Sequence, residues 1–267
     1  MDPTLLELRN LCKHYGGRRD IFGRRRQGVK AVDGVSLAVA RGSTLGVVGE
    51  SGCGKSTLAR MLVGLMAPTS GDILFDGENL VDTLRRDRLA FRRKVQMVFQ
   101  DPMSALNPRK TIKESLEAPL VSLLGMGRDA RASRVVELME LVSLRPEFLD
   151  RYPHEFSGGQ CQRIGIARAL AAEPELLVLD EPVSALDVSV QAQILKLLKT
   201  LQARLGLTYV FISHDLAVVE NLCDQVVVMY FGRVVERGPR EELFGKPQHD
   251  YTKLLLSSVP VPGQQTL

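Results

Sequence analysis

Residues 49–57 read GESGCGKST, a run that fits G-x-x-x-x-G-K-[ST]. The chemistry of such a run is phosphate binding. Gly49, Gly52 and Gly54 permit backbone angles that a side chain forbids. The N–H groups of the loop, through Glu50, Ser51 and Cys53, can then converge on phosphate oxygens at the start of a helix. Lys55 can reach the β- and γ-phosphates, and the Ser56 hydroxyl, next to Thr57, can ligate Mg²⁺. Cys53 occupies a free position and is expected to lie near the phosphate, so that alkylating it hinders nucleotide binding. A second run, LLVLDEP (176–182), delivers Asp180 and Glu181 to the C-terminal end of an apolar stretch, where ligands bind in open α/β sheets. Asp180 suits Mg²⁺, directly or through water, and Glu181 suits a base that orients and deprotonates water.

A third run, EFSGGQCQRIGIARAL (155–170), opens a helical pattern with Ser157, Gly158, Gly159 and Gln160. Serine is a good N-cap, and the glycines let backbone N–H groups approach a ligand at the positive end of the helix dipole. No lysine accompanies it. The chain therefore holds two phosphate-facing helix starts, and one nucleotide needs only the first.

These residues need a scaffold, and the hydrophobic pattern supplies one. TLGVV (44–48), KVQMVF (94–99), LLVLD (176–180), YVFIS (209–213) and QVVVMY (225–230) read as strands covered on both faces. Helical patterns separate most of them, which predicts an α/β sheet. Residues 4–12 and 31–40 alternate like half-exposed strands. Residues 101–156 are mostly helical by pattern, with Val135, Leu138, Met139 and Val142 at helical spacing, and predict an inserted helical subdomain. Val190, Ile194, Leu197, Leu198, Leu201 and Leu205 share a helical face that reads as core. GGRRDIFGRRRQG (16–28) carries five arginines; it reads as a solvated loop or as a contact for anionic lipid or an acidic partner.

The 267 residues suffice for one large domain or a domain with a subdomain. Low aromatic content, no Trp and a net charge of +4 argue against a dedicated nucleic-acid binder. The start MDPTLLELRN lacks a signal-peptide pattern, and no apolar run approaches the roughly 18 residues that span a bilayer. A cytoplasmic chain is expected, with any membrane span supplied by another chain. Cys12, Cys53, Cys161 and Cys223 are scattered without a CxxC, which favours reduced thiols.

In chain order, Tyr15, GESGCGKST, VFQDP (98–102), FSGGQ (156–160), LLVLDEP, SALD (184–187) and FISHD (211–215) resemble the nucleotide-binding subunit of ATP-binding-cassette (ABC) transporters. The resemblance covers essentially the whole chain, and SGGQ is its most diagnostic part. It implies a phosphate-loop ATPase core, largely parallel, with an inserted helical subdomain near 101–165 and a small antiparallel β part. The whole chain, 1–267, would form a single ATPase domain with a tail from about 240 to 262. The resemblance also accounts for the second helix start: two subunits dock head to tail, and Ser157, Gly158, Gly159 and Gln160 face the γ-phosphate held by the other. Tyr15 would stack on adenine. Gln100 would sense Mg²⁺ and the attacking water. His214 would contact the γ-phosphate and hold Glu181 and the water. Asp187 would lie at the dimer interface. Phe156 stands where leucine is commoner, and Cys161 where a basic or long residue is frequent, a change expected to alter the charge beside the partner's phosphate.

QDPMSALNPRKTI (100–112), the arginine-rich insertion and KPQHDYTKLLLSSVP (246–260) resemble the importers of dipeptides, oligopeptides and nickel, with Asp250 in place of a proline. No cysteine follows Cys223, so the chain resembles the kind of subunit without a C-terminal iron-sulfur cluster. The resemblance implies ATP and Mg²⁺, two membrane-spanning permease subunits, a second ATPase subunit in a heterodimer or homodimer, and an extracytoplasmic binding protein. It places the chain on the cytoplasmic face of the inner membrane. Nickel or glutathione cargo stays open, as do a soluble ABC ATPase acting on DNA or ribosomes and a non-hydrolysing nucleotide clamp. Glu181 and His214 argue against the clamp, and the absence of coiled-coil insertions argues against the soluble ATPase.

Overall fold

A computed structural model describes residues 3–16 and 28–257. Most of the arginine-rich loop, 17–27, and the tail beyond 257 lie outside the described residues. The chain divides into two units, 1–81 with 211–267, and 82–210.

In the first unit, β1 (Thr4–Tyr15) pairs antiparallel with β2 (Val29–Ala40), setting Leu8 opposite Leu37 and Leu11 opposite Val35. After β3 (Thr44–Val48) and α1 (Lys55–Leu62) come β4 (Ser70–Phe75), antiparallel to β1, and the two-residue β5 (Glu78–Asn79). Asp76 and Gly77 link β4 to β5 with φ of 52° and 79°, the pair of positive angles that a tight hairpin of this hand needs. Leu6, Leu8, Leu11, Val35, Leu37, Ile73 and Phe75 form the buried face of this sheet of four strands.

The chain leaves this unit in α2 (Leu80–Arg86). In the second unit α3 (Arg88–Lys94) leads into β6 (Val95–Val98). Four helices then follow without a strand between them: α4 (Pro102–Ala105), α5 (Ile112–Ser122), α6 (Arg128–Leu141) and α7 (Gly158–Leu170). Thr111 starts α5 with a reciprocal capping box to Glu114. α5 packs against α6; Ile112, Leu116 and Leu120 are buried, as are Val135, Leu138, Met139 and Val142, the last four as their spacing predicts. β7 (Leu176–Asp180) runs parallel to β6, with Met97 opposite Val178. α8 (Val188–Leu205) buries Ile194, Leu197, Leu198 and Leu201. Leu205 departs from the expected stripe: it is exposed, because the helix ends there and Gly206 turns the chain away in the left-handed region.

β8 (Thr208–Ser213) returns the chain to the first unit. There α9 (Leu216–Leu222), β9 (Gln225–Tyr230), β10 (Arg233–Pro239), α10 (Arg240–Gly245) and α11 (Asp250–Ser257) complete the described residues. β3 runs parallel to β9, and β10 runs antiparallel to it. α9 sits so close to β3 that a Cβ on Gly46 would lie 2.8 Å from Cys223 Sγ. The five residues of β3 and of β7 are all buried, as apolar runs without alternation require. The mixed α/β arrangement with a separate antiparallel part is thus the expected class. Among the described residues no helix is long and apolar enough to cross a membrane.

Candidate functional site

The phosphate loop leaves the end of β3 and runs straight into α1. Its turn exists because three glycines hold positive φ: 148° at Gly49, 82° at Gly52 and 111° at Gly54. A Cβ at Gly49 would lie 2.2 Å from the Met229 carbonyl oxygen, and one at Gly54 would lie 1.9 Å from that of Ala31. One at Gly52 would meet nothing within 4 Å. Thus 49 and 54 are glycine for packing as well as for angle, while 52 borders open space. Lys55 is 4% exposed, and its ammonium donates to the carbonyls of Gly49 (2.6 Å) and Glu50 (2.9 Å). Those oxygens satisfy N–H donors that burial takes from water. A phosphate, with full negative charge, is a stronger acceptor for the same protons. Ser56 and Thr57 are half-buried in the first turn of α1, and Glu50 and Ser51 are exposed. This fits a nucleotide phosphate: a glycine cradle that side chains would fill, one buried lysine and a hydroxyl at a helix start.

Cys53 stands differently from expectation. Its side chain is buried beneath the loop, with Sγ 4.0 Å from Lys55 Nζ. Burial pushes its thiol pKa up, against the pull of Lys55. Only its main chain can face a phosphate. Since the thiolate is the nucleophile, a raised pKa means slow reaction at neutral pH. Maleimide treatment is expected to label the half-buried Cys12 while Cys53 stays unmodified, read by peptide mass mapping; equal labelling of both would contradict the inward placement.

Elsewhere in the first unit, Tyr15 ends β1 with 39% of its surface exposed. Its hydroxyl lies 2.8 Å from Met66 Sδ, beyond the end of α1, and Lys13 Nζ sits 5.6 Å from its ring centre. An exposed ring held at its edge leaves a face for stacking. His214 is exposed after β8, and the next residue, Asp215, caps α9 through the N–H groups of Ala217 and Val218.

In the second unit, buried apolar strand β7 carries Asp180 to its end, 6% exposed. Glu181 follows with φ of 47°, a left-handed angle that only glycine adopts freely. Gln100, just after β6, donates from Nε2 to Glu181 Oε2 at 3.0 Å. The structure therefore joins two residues 81 positions apart, as β6–β7 pairing dictates. The carbonyl of Glu181 accepts from the Ser184 hydroxyl at 3.1 Å, and Gln191 braces Val183 and Leu186 from α8.

Ser157 caps α7 reciprocally with Gln160, and Ser157 and Gly158 are exposed. Gly159 is buried, and a Cβ there would lie 2.4 Å from Val190 Cγ1. Its glycine serves contact with the first turn of α8, a role that spacing alone did not indicate. Asp187 caps α8 through the Val190 N–H and accepts from the Ser189 hydroxyl. The Ser189 bond, then the Val190 N–H, hold its carboxyl below the usual range. SGGQ and SALD thus lie side by side, with Leu186 3.4 Å from a Cβ at Gly158. Cys161 overturns its expected influence on charge: it is fully buried, Sγ 3.1 Å from Met103 Sδ, and burial pushes its thiol pKa up. α7 faces it inward, so a neutral thiol replaces nothing at the surface.

Sequence reasoning missed two supports. Gln191 is one; its amide reads as an ordinary polar helix residue. The other is Tyr251, whose hydroxyl oxygen accepts the Glu50 N–H at 3.0 Å. Its signal was only a place in an importer-like tail.

With this geometry in hand, comparisons with known proteins agree. Residues 32–184, more than half of the chain, match the family model described as ABC transporter. Residues 235–267 match the model described as Oligopeptide/dipeptide transporter, C-terminal region. The dipeptide transport ATP-binding protein DppF of Haemophilus influenzae is 52% identical over 259 residues, covering 97% of this chain and 79% of that protein. The oligopeptide transport ATP-binding protein OppF of Bacillus subtilis is 50% identical over 264 residues, covering 98% and 84%. Among solved structures, cbiO1 from Clostridium perfringens, part of the ABC transporter complex cbiONQ, superposes with a TM-score of 0.80 at 31% identity, covering 92% of each chain. The ATP-binding cassette MJ0796, a dimer in a post-hydrolysis state with ADP and Pi, gives 0.78 at 30% identity over 88% of this chain and 99% of that one.

Proposed function

Since this chain belongs to the ABC transporter family, we propose that it is the ATP-hydrolysing subunit of an importer of dipeptides or oligopeptides. It is an ATPase, and the family works with ATP and Mg²⁺. ABC cassettes of this kind act as dimers with membrane permease subunits. The observation that carries the cargo class is the C-terminal match over residues 235–267.

Roles follow from the two half-sites. Lys55 exchanges its bonds to Gly49 and Glu50 for the β- and γ-phosphates. Ser56, Asp180 and Gln100 would hold Mg²⁺, which would supply neutralisation of phosphoryl charge. Glu181, oriented by Gln100, takes the proton of the attacking water, and His214 holds both in line. Tyr15 stacks on adenine. Ser157, Gly158, Gly159 and Gln160 complete the other subunit's site with N–H donors at the start of α7, and Asp187 communicates across the interface. ATP binding then closes the dimer, and hydrolysis reopens it. We assign the helical subdomain to about 101–165 and give it the contact with the permeases. The chain would sit on the cytoplasmic face of the inner membrane. A second, different ATPase subunit would stand beside it, with a binding protein delivering cargo from outside.

Pull-down of the tagged chain from native membranes is expected to recover two multi-span proteins and a second ATPase. Recovery of ribosomes or DNA instead would leave the ATPase standing and sink the import assignment. A copurifying binding protein that takes nickel but no peptide would replace the cargo class.

A further inference from the structure

One peptide unit, Gly49–Glu50, is held from both of its ends. Its carbonyl oxygen accepts from Lys55 Nζ at 2.6 Å. Its N–H donates to the Tyr251 hydroxyl oxygen at 3.0 Å. Gly49, with φ of 148°, gives that peptide no steric hold of its own. Because the peptide is planar, fixing the N–H fixes the carbonyl that lies opposite it. The ammonium also polarises the carbonyl, which strengthens the bond its N–H makes.

Tyr251 is well placed to be that fixed point. It is 7% exposed, and its ring lies 4.1 Å from the Tyr230 ring, centre to centre. α11 is anchored just before it: the Glu236 carboxylate accepts the N–H groups of Gln248 (2.7 Å) and His249 (3.0 Å), and His249 Nδ1 accepts that of Tyr251. When a phosphate draws Lys55 away, the peptide loses the hold on its carbonyl. The Tyr251 bond is the one that stays.

We propose that Tyr251 is a positioning residue for the phosphate loop, holding the Gly49–Glu50 peptide in the orientation that nucleotide needs. Nucleotide affinity is thereby tied to the seating of α11. The inference rests on the reading of residues 49–57 as the phosphate loop. A positioning role of this kind acts on ground-state binding of ATP and ADP alike, and little on the chemical step.

The test uses the full chain and Tyr251→Phe, which keeps the ring against Tyr230. The dissociation constants of MgATP and MgADP are expected to rise about five- to tenfold, with kcat at saturating ATP within about twofold. Amide exchange gives a reading that does not depend on the variant: in the nucleotide-free wild type the exposed residue Glu50 should show a protected N–H. In the variant that protection alone should vanish, while α11 amides keep theirs. Unchanged affinity beside a wild type that binds nucleotide overturns the proposal. So does an unprotected Glu50 amide in the wild type. Equal loss of affinity, kcat and α11 protection would make Tyr251 a packing residue only, which also overturns it. A wild type that binds no nucleotide would remove the reading of the loop itself, and the proposal with it.

Discussion

Glu181→Gln is expected to lower ATP turnover by about 10²- to 10⁴-fold, the range for removing a positioned general base. ATP affinity should change by no more than about twofold, because the substitution removes an interaction needed only at the transition state. The amide matches the carboxylate in shape, and its oxygen can still accept from Gln100 Nε2, which now lies 3.0 Å from Glu181 Oε2. What it cannot do is take a proton from water. The consequence is an ATP-bound dimer that closes and stays closed. Size-exclusion chromatography in MgATP should show it, and single-turnover hydrolysis gives the rate. Turnover within about tenfold of wild type would assign proton acceptance elsewhere.

Gly54→Ala is expected to be the most damaging small substitution in the first unit. Two effects add. At φ of 111° an alanine is strained, which costs about 1–3 kcal/mol. Its Cβ would lie 1.9 Å from the Ala31 carbonyl oxygen, a main-chain atom on β2 that no rotamer change can move. Either the loop or the strand must shift, at a further cost of about 1–3 kcal/mol. Gly52→Ala provides the control, since its φ of 82° carries the strain while its Cβ would meet nothing within 4 Å. Urea unfolding of the two variants should therefore differ by about the clash alone, 1–3 kcal/mol. Gly54→Ala should also lose nucleotide binding. Equal stabilities would show that β2 yields freely at Ala31.

Much of this was legible beforehand, for identifiable reasons. Buried strands such as β3 and β7 are short runs of apolar residues, and side chains with nothing polar to expose declare themselves. The phosphate loop and the DE pair are local in sequence, so spacing alone finds them. The family resemblance gave Gln100 a role toward Mg²⁺ and water but not its bond to Glu181, which depends on β6 lying beside β7. β10 was missed: its residues are mostly exposed or half-buried, and its place is set by a two-residue turn in which Phe231 adopts φ of 41°. The inward turn of Cys53 and Cys161 was equally hidden. Which way a side chain faces at a loop or helix start is decided by the folded packing around it: by the path of the glycine-rich turn between Gly49 and Lys55 for Cys53, and by Met103, far along the chain, for Cys161.

The left-handed angle at Glu181 bears on how this protein would respond to selection. A residue that disfavours its own backbone conformation by about 1–2 kcal/mol is a standing invitation to replacement. Glycine or asparagine would relax it. A campaign that sorted variants by heat resistance alone would therefore drift toward those residues at 181 and deliver sturdier, inert chains. Directed evolution of this scaffold has to score turnover at every round, since at this position robustness and catalysis pull in opposite directions.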